Sequence, residues 1–252
     1  MTTDGALGFA SFVLPALIAV AAGAVASVAG FGIGSLLTPA LVPLVGTRAA
    51  VVTVALPHAA GTALRLWRLR DSIDWTLLRG FGVASAAGGL LGAIGHAWLS
   101  GISLGRVFGV LLIVSGLAGL VGWTRRVHLG NRGALAAGGL AGMFGGLVGN
   151  QGSIRSAALL AFRLTPRSFV ATATATALIV DAARVPVYIA TAGSDYLLNP
   201  GLTAVLTLGV LVGTVAGEPI LRWIPEPLFT TTVSVLLLVL GAYMLVRPGT
   251  TL

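Results

Sequence analysis

The chain has 252 residues, 56% of them hydrophobic and 9% charged, with no cysteine and a formal net charge of +8. A soluble domain carries roughly a quarter charged residues, so this composition, with a mean hydropathy of +1.00, excludes an ordinary soluble protein. The lack of thiols excludes disulfides and cysteine-based metal sites.

Apolar runs of about 18 residues or more recur from end to end and predict transmembrane helices. Strict alternation over about ten residues, the mark of a membrane β-barrel, is absent. The first run, Leu7 to Val28, has no basic region before it, unlike a cleaved signal peptide. A glycine-rich break follows, and then a short segment, Ser35 to Val45. At about 1.5 Å per residue it is too short to span alone. Gly46-Thr47-Arg48 closes it. The third segment is Ala49 to Leu69. A loop with Asp71 and Asp74 leads to the fourth, Trp75 to Leu99. Gly101 to Ser103 turns the chain into the fifth, Leu104 to Trp123. The plan then repeats: Gly133 to Val148, a break, the short Ser153 to Leu164, then Arg167 to Ala192, Leu197 to Trp223 and Glu226 to Val246. The expected fold is an all-α polytopic membrane protein of two repeats, residues 1–126 and 127–252. Each repeat has four long helices and one short or re-entrant helix, and together they form a single transmembrane domain.

All fifteen basic residues are arginines, mainly in loops. Such an excess reports membrane orientation rather than a nucleic-acid partner. With the loops around Arg68 to Arg79 and Arg125 to Arg132 placed in the cytoplasm, Arg163, Arg167 and Arg222 also fall inside. Arg48, Arg106 and Arg247 fall outside. Nine against three satisfies the positive-inside rule and puts both termini outside. Five crossings or half-crossings per copy is an odd number, so the second copy is inverted, a recurring plan of secondary transporters. Glycines spaced by four, such as Gly88 and Gly92, or Gly138, Gly142 and Gly146, read as helix-packing positions.

The two breaks, Gly30-Phe31-Gly32-Ile33-Gly34-Ser35 and Gly149-Asn150-Gln151-Gly152-Ser153, lie about 118 to 119 residues apart. Glycine allows a backbone bend and close approach. Within a membrane, irregular backbone is tolerated only where it is buried in protein or lines a cavity. The substrate site is therefore expected where the breaks meet, with Gly30, Gly32, Gly34, Ser35, Gly149, Asn150, Gln151, Gly152, Ser153 and Arg155 as its residues. Free N–H groups at helix starts suit an anion. Serine hydroxyls and the amides of Asn150 and Gln151 add donors. The plain alternative for the serines is N-terminal capping.

Arg65, Arg155 and Arg184 fall inside apolar segments, where a charge is costly and usually functional. Arg155 follows Ser153 by two residues and could grip an oxyanion bidentately; a salt bridge to Asp181 is its structural alternative. Asp181 and Arg184 can pair at i, i+3. Their counterparts at an offset of 119 are Thr62 and Arg65. Arg65 could instead snorkel to the cytoplasmic face. His58 shares a helical face with Thr62 and Arg65, and its imidazole suits a proton carrier. His58, Thr62, Arg65, Asp181 and Arg184 are the candidate coupling or gating residues. His96 and His128 lie near segment ends and read as interfacial. Glu218 and Arg222 read as an ion pair. Thr172, Thr174 and Thr176 cannot share one helical face, and some of them should bond the i−4 carbonyl. No catalytic, metal-binding or cofactor motif is present, and no nucleotide-binding motif, so the chain reads as a non-enzyme without cofactors.

Helix, Gly-rich break, short apolar helix with Pro39, then a Thr- and Ala-rich helix such as Ala171 to Ala177: this duplicated unit resembles the TauE/SafE family, also called the toluene sulfonate uptake permeases. Gly30-Phe31-Gly32-Ile33-Gly34 carries the resemblance in the first copy. Gly145-Gly146-Leu147-Val148-Gly149-Asn150-Gln151-Gly152 carries it more loosely in the second. Arg155 and Ala157-Ala158 stand where many members have apolar residues and a proline. The resemblance covers the whole chain. It implies a permease for a small sulfur oxyanion or organosulfonate such as sulfite or sulfoacetate, in the bacterial cytoplasmic membrane. The partners are then the anion, the lipid bilayer and, with coupling, protons. An anion channel, or a scaffold or sensor without transport, are the rival readings.

Overall fold

The computed structural model describes residues 3–122, 131–159, 162, 164–198, 200–221 and 225–248, and these are mainly helical, with no strand among them. The helices are α1 (Thr3–Ala29), α2 (Thr38–Leu69), α3 (Trp75–Leu77), α4 (Val83–Trp98), α5 (Gly101–Leu120), α6 (Asn131–Val148), α7 (Gly152–Leu159), α8 (Pro166–Leu198), α9 (Pro200–Leu221) and α10 (Glu226–Val246). Two π turns join them, Ile33–Leu37 leading into α2 and Leu78–Gly82 joining α3 to α4. Among the described residues, six stretches of helix are long and apolar enough to cross a membrane, from Ile33–Ser72 to Pro227–Val246.

The expected short segment in the first copy is one piece with α2 by hydrogen bonding, but Gly46 at φ 78°, ψ 162° breaks it where the sequence predicts. Positive φ is strained for residues with a Cβ, which explains glycine there. Arg48 donates to the Ala97 carbonyl at 3.1 Å, fastening the far side of the kink to the end of α4. One boundary differs from expectation. Gly101 to Ser103 form the first turn of α5, because Ser100 caps it by accepting from the Ser103 amide at 3.2 Å. Proline follows the same logic: Pro39 stands in the first turn of α2, where its missing N–H costs nothing.

The long helices pack in pairs: α1 on α9, α4 on α6, α5 on α10, α2 on α8, α2 on α9 and α4 on α8. In hydrocarbon there is no hydrophobic force between helices, so close backbone approach through small residues has to supply the packing. A Cβ at Gly92 of α4 would collide with the Met143 carbonyl of α6, and one at Gly213 of α9 with the Val20 carbonyl of α1. The glycines of the four-residue spacings thus sit at interfaces, as expected. Gly92→Ala should lower stability by about 1–3 kcal/mol through overpacking. Gly95→Ala, on the same helix with only a 3.4 Å contact to the Leu147 side chain, should not. Thermal melting of the two purified variants checks this. Trp67, Trp75 and Trp98 are exposed at the helix ends, where tryptophan belts a bilayer.

Candidate anion site at the meeting of two helix breaks

Helices α1 and α6 both stop inside the protein, and the same device stops them. Gly30 has φ 75° and Gly149 has φ 76°. Each donates its amide to the carbonyl four residues back, Ala26 and Gly145, at 3.0 Å. The chain then restarts as the π turn into α2 and as α7. The two breaks touch. The Gly34 Cα faces the Gly149 carbonyl so closely that a Cβ would clash, and Gly152 abuts the Phe31 side chain in the same way. Ser35 Oγ donates to Asn150 Oδ1 at 3.1 Å, and Arg155 Nη2 donates to the Gly30 carbonyl at 3.3 Å.

Between them lies a cavity of about 10 Å³, lined by Gly32, Gly34, Ser35, Gly149, Asn150, Gln151, Gly152 and Arg155, together with Phe31 and His58. The expected residues therefore converge. Gly30 contributes its carbonyl to the Arg155 guanidinium rather than wall. Ser153 lies in α7, but its side chain is outside the described part of the structure. Ser35 is not a helix cap, since the π turn has no side-chain cap; its hydroxyl orients Asn150 instead. With Oδ1 taken, Asn150 Nδ2 is left without a partner, as are Arg155 Nε and Nη1 and Gln151 Oε1. Arg155 is 2% exposed, and no salt bridge joins it to Asp181 among the described residues. A buried guanidinium normally satisfies its donors. This one presents two of them unpaired beside a cavity.

Behind the cavity wall stands an ionic cluster. His58 Nδ1 is 2.7 Å from Asp181 Oδ2. Arg184 Nε and Nη2 donate to Asp181 Oδ1 at 2.9 and 2.8 Å. Asp181 and Arg184 are each 1% exposed. Arg65 does not snorkel: it is buried, donating from Nη1 to the Ala26 carbonyl, from Nη2 to the Gly30 carbonyl and from Nε to Thr174 Oγ1. Thr62, at the position matching Asp181, is buried with an unpartnered hydroxyl. The acid therefore belongs to one half only. Thr174 and Thr176 bond the i−4 carbonyls of Val170 and Thr172, as expected of some of the threonines.

One buried residue had no role in the sequence reading, and another had a different one. Tyr188 is fully buried and its hydroxyl donates to the Gly146 carbonyl. Its spacing of four from Arg184 and seven from Asp181 on one helix was the available signal. His96 is not interfacial: it is buried, bonds the Leu147 carbonyl at 2.8 Å and lies 5.0 Å from the Tyr188 ring. His128 and Arg222, and the side chain of Glu218, are outside the described part.

The family model described as sulfite exporter TauE/SafE matches residues 15–244, nearly the whole chain. The chain belongs to the TauE/SafE family. No curated protein and no solved structure matches it. The apolar helices and the family together make this TauE/SafE protein a multi-pass membrane protein of a transporter family.

Proposed function

We propose that the protein is a secondary transporter that moves a small sulfur oxyanion or organosulfonate, such as sulfite or sulfoacetate, across the cytoplasmic membrane. The observation that carries this reading is the set of unpaired donors at the breaks, Arg155 Nε and Nη1 and Asn150 Nδ2. A sulfur oxyanion offers several acceptor oxygens and a charge that Arg155 matches.

The mechanism we favour is alternating access between two inverted halves, residues 1–126 and 127–252. Exchanging the first five segments for the second five maps the helix pairs onto one another. The α1–α9 pair becomes α6–α4, the α2–α9 pair becomes α8–α4, and α5–α10 and α2–α8 map onto themselves. Gly109 and Gly241, on α5 and α10, face each other's carbonyls, so that a Cβ on either would lie 2.9 Å from the other's carbonyl oxygen. A cavity of about 10 Å³ holds roughly one water. A sulfur oxyanion therefore enters only when the halves move, which favours a transporter over an open pore. The arginine-rich end is the cytoplasmic one in this reading. Consistent with it, the Asp74 amide donates to Thr172 Oγ1 at 3.0 Å, which sets the Arg68–Arg79 loop beside the start of α8 and Arg167.

His58 lines the cavity and also bonds Asp181, so it can link anion binding to a proton. In this scheme Asp181 holds the imidazole and Arg184 holds Asp181.

The test combines thermal stability of the detergent-purified protein with uptake into proteoliposomes. The probes are sulfite, thiosulfate, sulfate, sulfoacetate and taurine, with acetate and chloride as controls. A bound anion at a hundredfold excess over its Kd should stabilise by about 2.7 kcal/mol. Anion flux should be accompanied by a pH change in the lumen, and that change should vanish in His58→Gln. No stabilisation by any sulfur anion overturns the anion-site reading. Flux without a lumenal pH change overturns the proton link alone.

A further inference from the structure

The C-terminal turn of a helix leaves carbonyls without partners inside the helix, and these carry partial negative charge. Where such an end is buried, the carbonyls need donors or a cation. In transporters built on broken helices, half-helix C-terminal ends and unwound carbonyls coordinate the coupling cation. Here α1 and α6 end in the interior, and a guanidinium already meets each end. Arg65 is a second donor to the Ala26 carbonyl, which also accepts the Gly30 amide, and reaches the Gly30 carbonyl just past the end of α1 at 3.3 Å. Arg184 likewise adds a donor at 2.8 Å to the Gly145 carbonyl of α6, which also accepts the Gly149 amide. Ala26 and Gly145 are 119 residues apart, as are Arg65 and Arg184, so each half carries the same cap on its own broken helix. Arg65 has no carboxylate partner among the described residues. Its direct partners are the carbonyls at the end of α1, with Thr174 Oγ1 at 3.0 Å completing its donors.

We propose that Arg65 and Arg184 are tethered cations, filling the places at the ends of α1 and α6 that a free coupling cation would otherwise take. The anion site then works without Na⁺. The proposal rests on the anion-transport reading for its function and on the capping geometry alone for its structure. A planar guanidinium suits the task because its five donors in a fixed fork can serve several carbonyls at once. Fixed to α2 and α8, it also ties each break to the long helix that carries His58 or Asp181. Arg65 and Arg184 are in this sense positioning residues for the loops from which Arg155 and Asn150 face the cavity.

The experiment uses the full chain in detergent, with sulfite as the probe ligand and the melting temperature as a second readout. Sodium chloride is exchanged for choline chloride, or for guanidinium chloride at a concentration too low to denature. The parent should bind sulfite equally, within about twofold, in sodium and in choline. Arg65→Ala should bind sulfite at least about tenfold more weakly, as expected for loss of charged hydrogen bonds. Guanidinium, but not choline, should recover part of that affinity and raise the melting temperature. A parent that binds sulfite markedly better in sodium than in choline overturns the proposal. So does an Arg65→Ala protein that guanidinium rescues in neither readout. If Arg65→Ala yields no folded protein, Arg65→Gln retains a donor for the Ala26 carbonyl and is judged by the same rescue. A parent that binds no sulfur anion in any salt counts against the transport reading instead, while the melting-temperature comparison still decides on the tethered cations.

Discussion

Arg155→Ala should abolish sulfur-anion binding without destabilising the ligand-free protein. Both halves of that expectation come from how the guanidinium is partnered. It is 2% exposed, yet its one hydrogen bond is the 3.3 Å contact to the Gly30 carbonyl, and Nε and Nη1 have no partner. Taking a cation out of water costs several kcal/mol unless charges and hydrogen bonds compensate it. Here they do not, so deleting the side chain should leave the melting temperature of the empty protein unchanged or higher. The bound anion loses the guanidinium that faces the cavity with unpaired donors and at least two charge-assisted hydrogen bonds. Each is worth about 1.5–3 kcal/mol, so affinity should fall at least about a hundredfold. Titration calorimetry with sulfite and a melting curve of the same preparation measure both quantities. A variant that melts well below the parent and still binds sulfite would make Arg155 a structural residue and move the anion site elsewhere.

Much of this site was legible along the chain because it is built from local signals. Glycine where the backbone must take positive φ marked Gly30, Gly46 and Gly149. Arginine inside apolar runs marked Arg65, Arg155 and Arg184 by its cost alone. The offset of 119 paired the two breaks without any coordinates. What could not be read was partner choice. Ser35 meets Asn150 across 115 residues, and His58 meets Asp181 across 123. The first contact depends on how the two breaks meet and the second on how α2 packs against α8, and no periodicity within a segment encodes either. Arg65 and Arg184 occupy matching positions but differ in company, because Thr62 stands where the second half has its acid. A lone arginine at that depth has two outlets, a carbonyl cluster or the membrane surface. Only the position of the α1 end decides between them, and it decides for the carbonyls. His96 was misread for a related reason. It lies near the end of its own helix, but the end of α6 and Tyr188 pack over it.

Asp181→Ala is the opposite case from Arg155→Ala, and its main loss should be in stability. Both carboxylate oxygens are engaged, Oδ1 by Arg184 Nε and Nη2 and Oδ2 by His58 Nδ1, in surroundings where Asp181 and Arg184 are each 1% exposed. Removing one partner of a buried pair leaves the other charge uncompensated, at a cost of about 3–5 kcal/mol. Asp181→Asn should cost less, because its amide oxygen still accepts from Arg184. The double variant Asp181→Ala/Arg184→Met tests the cause. If the loss comes from a stranded guanidinium, removing that guanidinium should recover part of it, since apolar replacement of a buried pair is often close to neutral. The recovery should be incomplete, because Arg184 also donates to the Gly145 carbonyl at 2.8 Å and the α6 end would lose that cap. The cycle of the two single variants and the double, followed by thermal melting, isolates the coupling. A coupling energy near zero would mean that Asp181 is held for its bond to His58 rather than for its pairing with Arg184. The proton-linked flux of Asp181→Asn would then be the quantity to follow, because an amide can hold the imidazole in place but cannot balance its charge.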